Sequence, residues 1–180
     1  MNGKLKLNCK GMFRIAMIAA AAAFASAEAA AQNNEIPAAP PPLKMISDAE
    51  RSRLDREKGV KGRTKRSLEL MEVRLDNAEA AIRTEDFDKA FSELGVFHAL
   101  VDDALGFLYD SDTDKRKVQF NFKRFEIGIR SFTPRLELIR REMPLTHETY
   151  VLSLIKQLRD ARTRATEPLF GETVLRDNET

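Results

Sequence analysis

Between residues 67 and 170, apolar side chains return every three or four positions, in four separate runs. Leu68, Met71, Leu75, Ala78 and Ile82 make the first stripe. Phe87, Phe91, Leu94, His98, Val101, Leu105 and Leu108 make the second. Val118, Phe122, Phe125, Ile129, Phe132, Leu136, Ile139 and Met143 make the third, and Val151, Leu154, Leu158, Ala161 and Ala165 the fourth. Each run is the one-sided pattern of a helix that buries one face. The breaks between them, "RTED", "YDSDTD" and "PLT", are short and polar. Short connections force successive helices antiparallel, so the sequence predicts an all-α fold, an up-down-up-down bundle of about four helices.

Two stretches test that reading. "VQFNF" and "FEIGI" alternate like strands, but their apolar parity flips between residues 122 and 125, which no half-buried strand tolerates. The helical stripe runs through both, so helix is expected. Pro134 lacks an amide hydrogen and crowds the carbonyl of Arg130. Thr133-Pro134 offers a fresh helix start, yet the stripe keeps its phase from Phe132 to Leu136. The expectation is one long third helix kinked at Pro134.

Local end signals agree with the stripes. Ser47 and Glu50 are spaced as a capping box, and Thr146 is placed to cap the fourth helix, with Leu145 and Tyr150 as its hydrophobic staple. Pro168 and Gly171 mark that helix's end, and residues 171–180 read as a polar tail. The turn "EDFDKA", residues 85–90, is similar to the inter-helix turn of a tetratricopeptide repeat over Ala78 to Leu94. No second copy follows at one repeat length, and a lone unit builds no solenoid.

The N-terminus changes the charge picture. Lys4, Lys6, Lys10 and Arg14 precede an apolar run, "IAMIAAAAAFA", and Ala25-Ser-Ala27 and Ala29-Ala-Ala31 fit the small-x-small rule. Residues 1–31 therefore read as a Sec-type signal peptide cleaved after Ala27 or Ala31, giving a periplasmic or extracellular protein. The run is too short and alanine-rich to span a bilayer, so no transmembrane segment is expected in the mature chain. The chain has 30 basic and 28 acidic residues; the leader removes four bases and one acid (Glu28), leaving 26 against 27. The basicity of the whole chain thus belongs to its leader, and a nucleic-acid partner is not expected. The only cysteine, Cys9, lies in the same leader, so disulfides and thiolate chemistry are not expected either. Residues 32–46, with Pro37 and Pro40 to Pro42, read as an extended spacer.

Candidate chemistry is sparse. His98 stands in a core stripe with Asp102 one turn later, the spacing of a ligand or pH-sensitive pair. A metal site needs three or four converging donors, and the other histidine, His147, lies beside the start of the fourth helix. The Glu-x-x-His of di-iron bundles is broken by Gly95. Residues 110–114, "DSDTD", open like a calcium loop, but Lys115 stands where glycine is needed and Asn121 where glutamate is. These aspartates read instead as capping groups for the third helix. No cofactor and no enzymatic activity are expected; the alternative is a small-ligand, haem or metal binder with its pocket near His98.

Two features point to binding. Residues 47–66 read as a charged helical approach to a bundle at 67–170. Within its residues 51–66, Arg51, Arg53, Arg56, Lys58, Lys61, Arg63, Lys65 and Arg66 outnumber Asp55 and Glu57. Arg63, Lys65 and Arg66 are candidate contacts for an anionic envelope polymer or lipid head groups. Pairs at Arg51–Asp55, Arg53–Glu57 and Glu57–Lys61 are spaced to match part of this charge. Separately, Phe120 and Ile127 lie seven residues apart, opposite the third stripe, and the second helix adds Phe97, Leu100 and Phe107 to a wide apolar arc. A second apolar row is either covered by another part of the chain or offered to a protein partner or a second copy. The expected function is an exported, non-enzymatic interaction module of the cell envelope.

Overall fold

The computed structural model describes residues 37–113 and 115–170. The leader with both cleavage positions, Asp114, and the tail at 171–180 lie outside the described residues. Among those described, the chain is all-helical, with α1 (Asp48–Arg56), α2 (Val60–Arg83), α3 (Phe87–Tyr109), α4 (Arg116–Arg130), α5 (Phe132–Glu142) and α6 (Leu145–Phe170). α2 packs along α3, and α4 packs against both α6 and α2. α5 lies on α6, and α1 on α2.

The stripes become the core. Every member of the third and fourth stripes is buried, and of the first two only Leu68 and Phe87 remain partly open. Fully enclosed side chains such as Met71, Leu75, Leu94, Phe122, Phe125 and Leu158 come from four different helices, so the helices share one apolar interior. Burying one such side chain contributes about 1.5–3 kcal/mol. Leu68, though partly open, rests over Gly128, where a Cβ would sit 2.6 Å from its Cδ2. That glycine lets α2 and α4 approach closely.

Between α2 and α3 the turn uses Glu85 at φ 58°, and Asp86 caps α3 by accepting from the Lys89 amide at 3.2 Å. The third stripe is carried by two helices. The α-helical ladder lapses at Ser131, whose amide donates to the Gly128 carbonyl three residues back. Ser131 stays in the right-handed region (φ −66°, ψ −20°), so the stripe keeps its phase from Ile129 to Phe132. Pro134 sits three residues past the break, exposed, and has no N–H to offer Arg130. Thr133 does not cap α5: its hydroxyl is buried without a hydrogen-bond partner, and the flanking residue is Ser131.

Other end signals are used differently from their expectation. The Ser47–Glu50 capping box forms. Thr146 does not cap α6, because that helix already begins at Leu145; its hydroxyl meets His147 Nδ1 at 3.0 Å. α4 begins at Arg116, its flanking residue Lys115 makes no side-chain cap, and Asp112 pairs with Lys115 at 2.9 Å. Pro168 lies inside α6. It cannot donate to the carbonyl of Arg164 four residues back, and the Tyr109 hydroxyl donates to that oxygen at 2.7 Å. A side chain from α3 thus replaces the lost backbone bond, and the helix runs on to Phe170.

The segments before the bundle are not a free spacer and approach. Leu54 is fully enclosed, and Glu50 and Thr64 are buried. The proposed boundary at residue 66 falls inside α2, which starts six residues earlier at Val60. The proline segment lies on the bundle as well. The Ala39 amide donates to the Thr146 carbonyl at 2.7 Å, and Ala39 and Ile46 pack on the core. A Cβ at Gly95 would sit 2.5 Å from the Leu43 carbonyl oxygen, so this helix position is open to the crossing strap only as glycine.

Candidate functional site

His98 is 2% exposed, at the place where α3 meets α6 and the strap. Its Nδ1 lies 3.1 Å from the Tyr150 hydroxyl, and its Nε2 lies 2.9 Å from Lys44 Nζ and 3.5 Å from Asp102 Oδ2. An ammonium only donates, so Nε2 accepts; the ring proton is thereby assigned to Nδ1, which donates to Tyr150. Burial holds the imidazole below its ordinary pKa, Asp102 pulls the other way, and Lys44 adds to the lowering. Burial also raises the Tyr150 hydroxyl, with Asp102 adding to it, so it stays un-ionised. The strap's lysine therefore closes over a neutral histidine whose two nitrogens are both bonded.

The surroundings are a shallow polar cleft of about 380 Å³, lined by Lys44, His98, Asp102, Gln157, Asp160 and Arg164. A metal ion would have to displace Lys44 from Nε2. No group of three or more histidine, cysteine, aspartate or glutamate side chains among the described residues is placed to hold one. His98 and Asp102 do come together, as their spacing predicted. The third member, Lys44, comes from a segment 54 residues away, and nothing in the local pattern announces it.

The basic candidates of the approach segment divide. Arg63 is largely covered: it pairs with Asp55 at 3.0 Å and Asp103 at 3.2 Å, and its guanidinium lies 4.6 Å from the Phe107 ring centroid. Arg66 pairs with Glu69 at 2.6 Å and Glu57 at 3.7 Å. Arg51 pairs with Asp103. Lys65 alone of the three named contacts is exposed without an acidic partner among the described residues. Of the pairs expected along one helix, Arg51–Asp55, Arg53–Glu57 and Glu57–Lys61, none forms: Arg51 reaches Asp103 on α3, while Asp55 and Glu57 meet Arg63 and Arg66 on α2. Arg63 thus serves inside the fold, where it covers the Phe107 end of the wide apolar arc on α3, whereas Arg66 stays partly exposed in surface pairs.

The rest of that arc, Phe97 and Leu100, is enclosed, with Phe97 edge-on to Phe132 at 5.7 Å. The second row of α4 is not. Phe120 is 57% exposed and Ile127 is 53% exposed. Phe120 forms a ridge between two grooves. One, of about 530 Å³, is lined by Gly59, Val60, Lys61, Lys117, Asn121 and Arg124. The other, of about 410 Å³, is lined by Arg116, Gln119, Lys123, Glu126, Leu169 and the exposed Phe170.

This face is cationic. The Arg116 guanidinium lies 5.6 Å from the Phe120 centroid, and Arg124 bonds only to Asn121 Oδ1. Glu126, the one acid among the described residues lining the two grooves, is buried and spent internally, held by Arg130 at 2.6 Å and Arg162 at 3.1 Å. Those partners, Arg130 first, hold its carboxyl below the usual range against burial. Among the described residues, Lys61, Arg116, Lys117, Lys123 and Arg124 have no carboxylate partner. The sequence pointed to Phe120 and Ile127 through their spacing; it did not point to this ring of cations, which α2 and α4 assemble jointly. No helix among the described residues is long and apolar enough to cross a membrane. No protein-family model, curated protein or solved structure matches the chain.

Proposed function

We propose that the chain is an exported, non-enzymatic, antiparallel four-arm helical bundle, in which α4 and α5 form one long arm bent between Ser131 and Pro134. On this reading it binds another macromolecule of the cell envelope through the outer face of α4. The observation that carries the reading is the exposure of Phe120 and Ile127 on one helix face, with Phe120 standing between two grooves. An exposed large aromatic on a cleft edge is the kind of anchor that dominates protein interfaces. The basic leader and its short apolar run support export. Both histidines are engaged internally, His98 with Tyr150 and Lys44 and His147 with Thr146, which supports a binding role over a catalytic one.

The test is a photoreactive residue at position 120, activated in intact cells of the host. One dominant attached protein is the expected result. The companion variant, Phe120→Ser with Ile127→Ser, removes exposed side chains, so its unfolding free energy should stay within about 0.5 kcal/mol of wild type while partner capture disappears. A double variant that captures the partner as well as wild type would remove the α4 face from the account.

A further inference from the structure

We propose that the occupant of the α4 face is an acidic, amphipathic segment of another protein, lying across Phe120 with an apolar side chain in the groove on each side. This rests on the reading of that face as a binding surface and specifies its partner. Charge complementarity is the argument. Phe107 on α3 also carries an arginine over its ring, but that arginine, Arg63, is neutralised by Asp55 and Asp103. Among the described residues Arg116, over Phe120, has no such acid, and Lys61, Lys117, Lys123 and Arg124, also without carboxylate partners there, line both grooves. Among the described residues, carboxylates thus meet the arginine over the covered aromatic and not the arginine over the exposed one.

Other occupants match less of this. A second copy placed face to face would bring the same five cations together, and like charges across an interface cost several kcal/mol. A bilayer surface would satisfy the cations and receive Phe120, but it fits protruding side chains rather than a concavity on either side of the ridge. An amphipathic segment has what both features require: apolar side chains at i and i+3, i+4 or i+7 for the grooves, and acids between them for the rim. Because the rim charges are exposed, they act mainly on encounter rate and selectivity, and salt weakens them.

The experiment places a photoreactive residue at Lys61, in one groove, and in a second variant at Gln119, in the other. The full-length protein is expressed in its host, crosslinked in intact cells, and the attached peptide is identified by mass spectrometry. The expected result is the same segment of one protein at both positions, with more aspartate and glutamate than lysine and arginine and with apolar residues at helical spacing. Lys117→Glu with Lys123→Glu should lower crosslinking at position 120 by about tenfold or more, and Lys117→Arg with Lys123→Arg should restore it; circular dichroism checks that both variants keep their helices. A neutral or basic segment, an attached phospholipid, a second copy of this chain, or a charge-reversed variant within about twofold of wild type would each overturn the proposal. If position 120 still captures a protein in those cases, only the acidic-segment inference falls; if it captures nothing, the binding surface itself falls.

Discussion

Replacing Gly95 by alanine sets two effects of opposite sign against each other, and the structure says how they divide. In the middle of α3, alanine is favoured over glycine by about 1 kcal/mol. The added Cβ, however, would lie 2.5 Å from the Leu43 carbonyl oxygen and 3.0 Å from Pro42 Cβ. Ordinary carbon–oxygen contact starts near 3.4 Å, so the strap must retreat by roughly 1 Å, and its backbone cannot rotate away as a side-chain tip would. Such a shift is enough to break the Ala39–Thr146 hydrogen bond at 2.7 Å and the Lys44–His98 contact at 2.9 Å. Those two bonds contribute about 1 and about 1–2 kcal/mol, the second reduced by the partial exposure of Lys44. The strap can let go without opening the helices, so its loss is local. The expectation is that amide exchange at Ala39 accelerates by about 10–100-fold, the equivalent of 1.4–3 kcal/mol. The global urea midpoint should move little, because the helix gain offsets part of the loss. Lys44→Met in the Gly95→Ala background should then add nothing, since its partner contact is already gone. Unchanged protection of Ala39, together with a protein about 1 kcal/mol more stable than wild type, would refute the reasoning.

Two further outcomes follow from buried charge. His98 titrates below 6.5 in the fold and near 6.5 when unfolded, because burial disfavours its charged form and Lys44 repels it, with Asp102, opposing, as the acid facing it. The unfolded chain therefore binds more protons in that window, so this part of the stability is complete above pH 6.5 and falls as pH drops through and below it; urea titrations of wild type and His98→Gln between pH 7.5 and 5 should diverge, and parallel curves would end the neutral-histidine assignment. Arg74 joins three helices, bonding Glu50 at 2.8 Å and Glu93 at 2.7 Å. Burial works against the Glu50 carboxylate, but bonds from Ser47 and Arg74 outweigh it and hold its pKa below the usual range. Arg74→Met should cost about 2–4 kcal/mol in urea unfolding by stranding that buried acid, and adding Glu50→Gln should recover part of it; a loss below about 0.5 kcal/mol would mean the bridge contributes no more than a surface pair.

Much of the helix content was legible because periodicity is local. A stripe such as Val118 to Met143 states which side of a helix is apolar without reference to any other part of the chain, and all eight of its members are buried. Capping was legible where the cap and its partner are three residues apart, as in Ser47–Glu50. It failed at Thr146, where the start of the helix is set by what precedes it in space: α6 begins one residue before Thr146. Ser131 was missed because Pro134 marks that a ladder bond is absent but not which residue absorbs the lapse.

The sequence by itself determined which faces are apolar, that His98 and Asp102 share a helix face, and that α4 carries a second apolar row. It could not say which apolar row is covered, because coverage depends on segments far apart in the chain. Arg63 and α2 reach Phe107, whereas Phe120 and Ile127 stay open. Ion pairing followed the same division: the charges of residues 51–66 were matched in sequence to neighbours four residues on, but the break at residues 57–59 turned Arg51 and Arg63 toward Asp103 on α3. The proline segment, an extended spacer by composition, became a strap because Gly95 left room for its backbone and His98 offered Lys44 an acceptor. Periodicity is a property of a few adjacent turns; which surface remains open is decided only when distant turns meet.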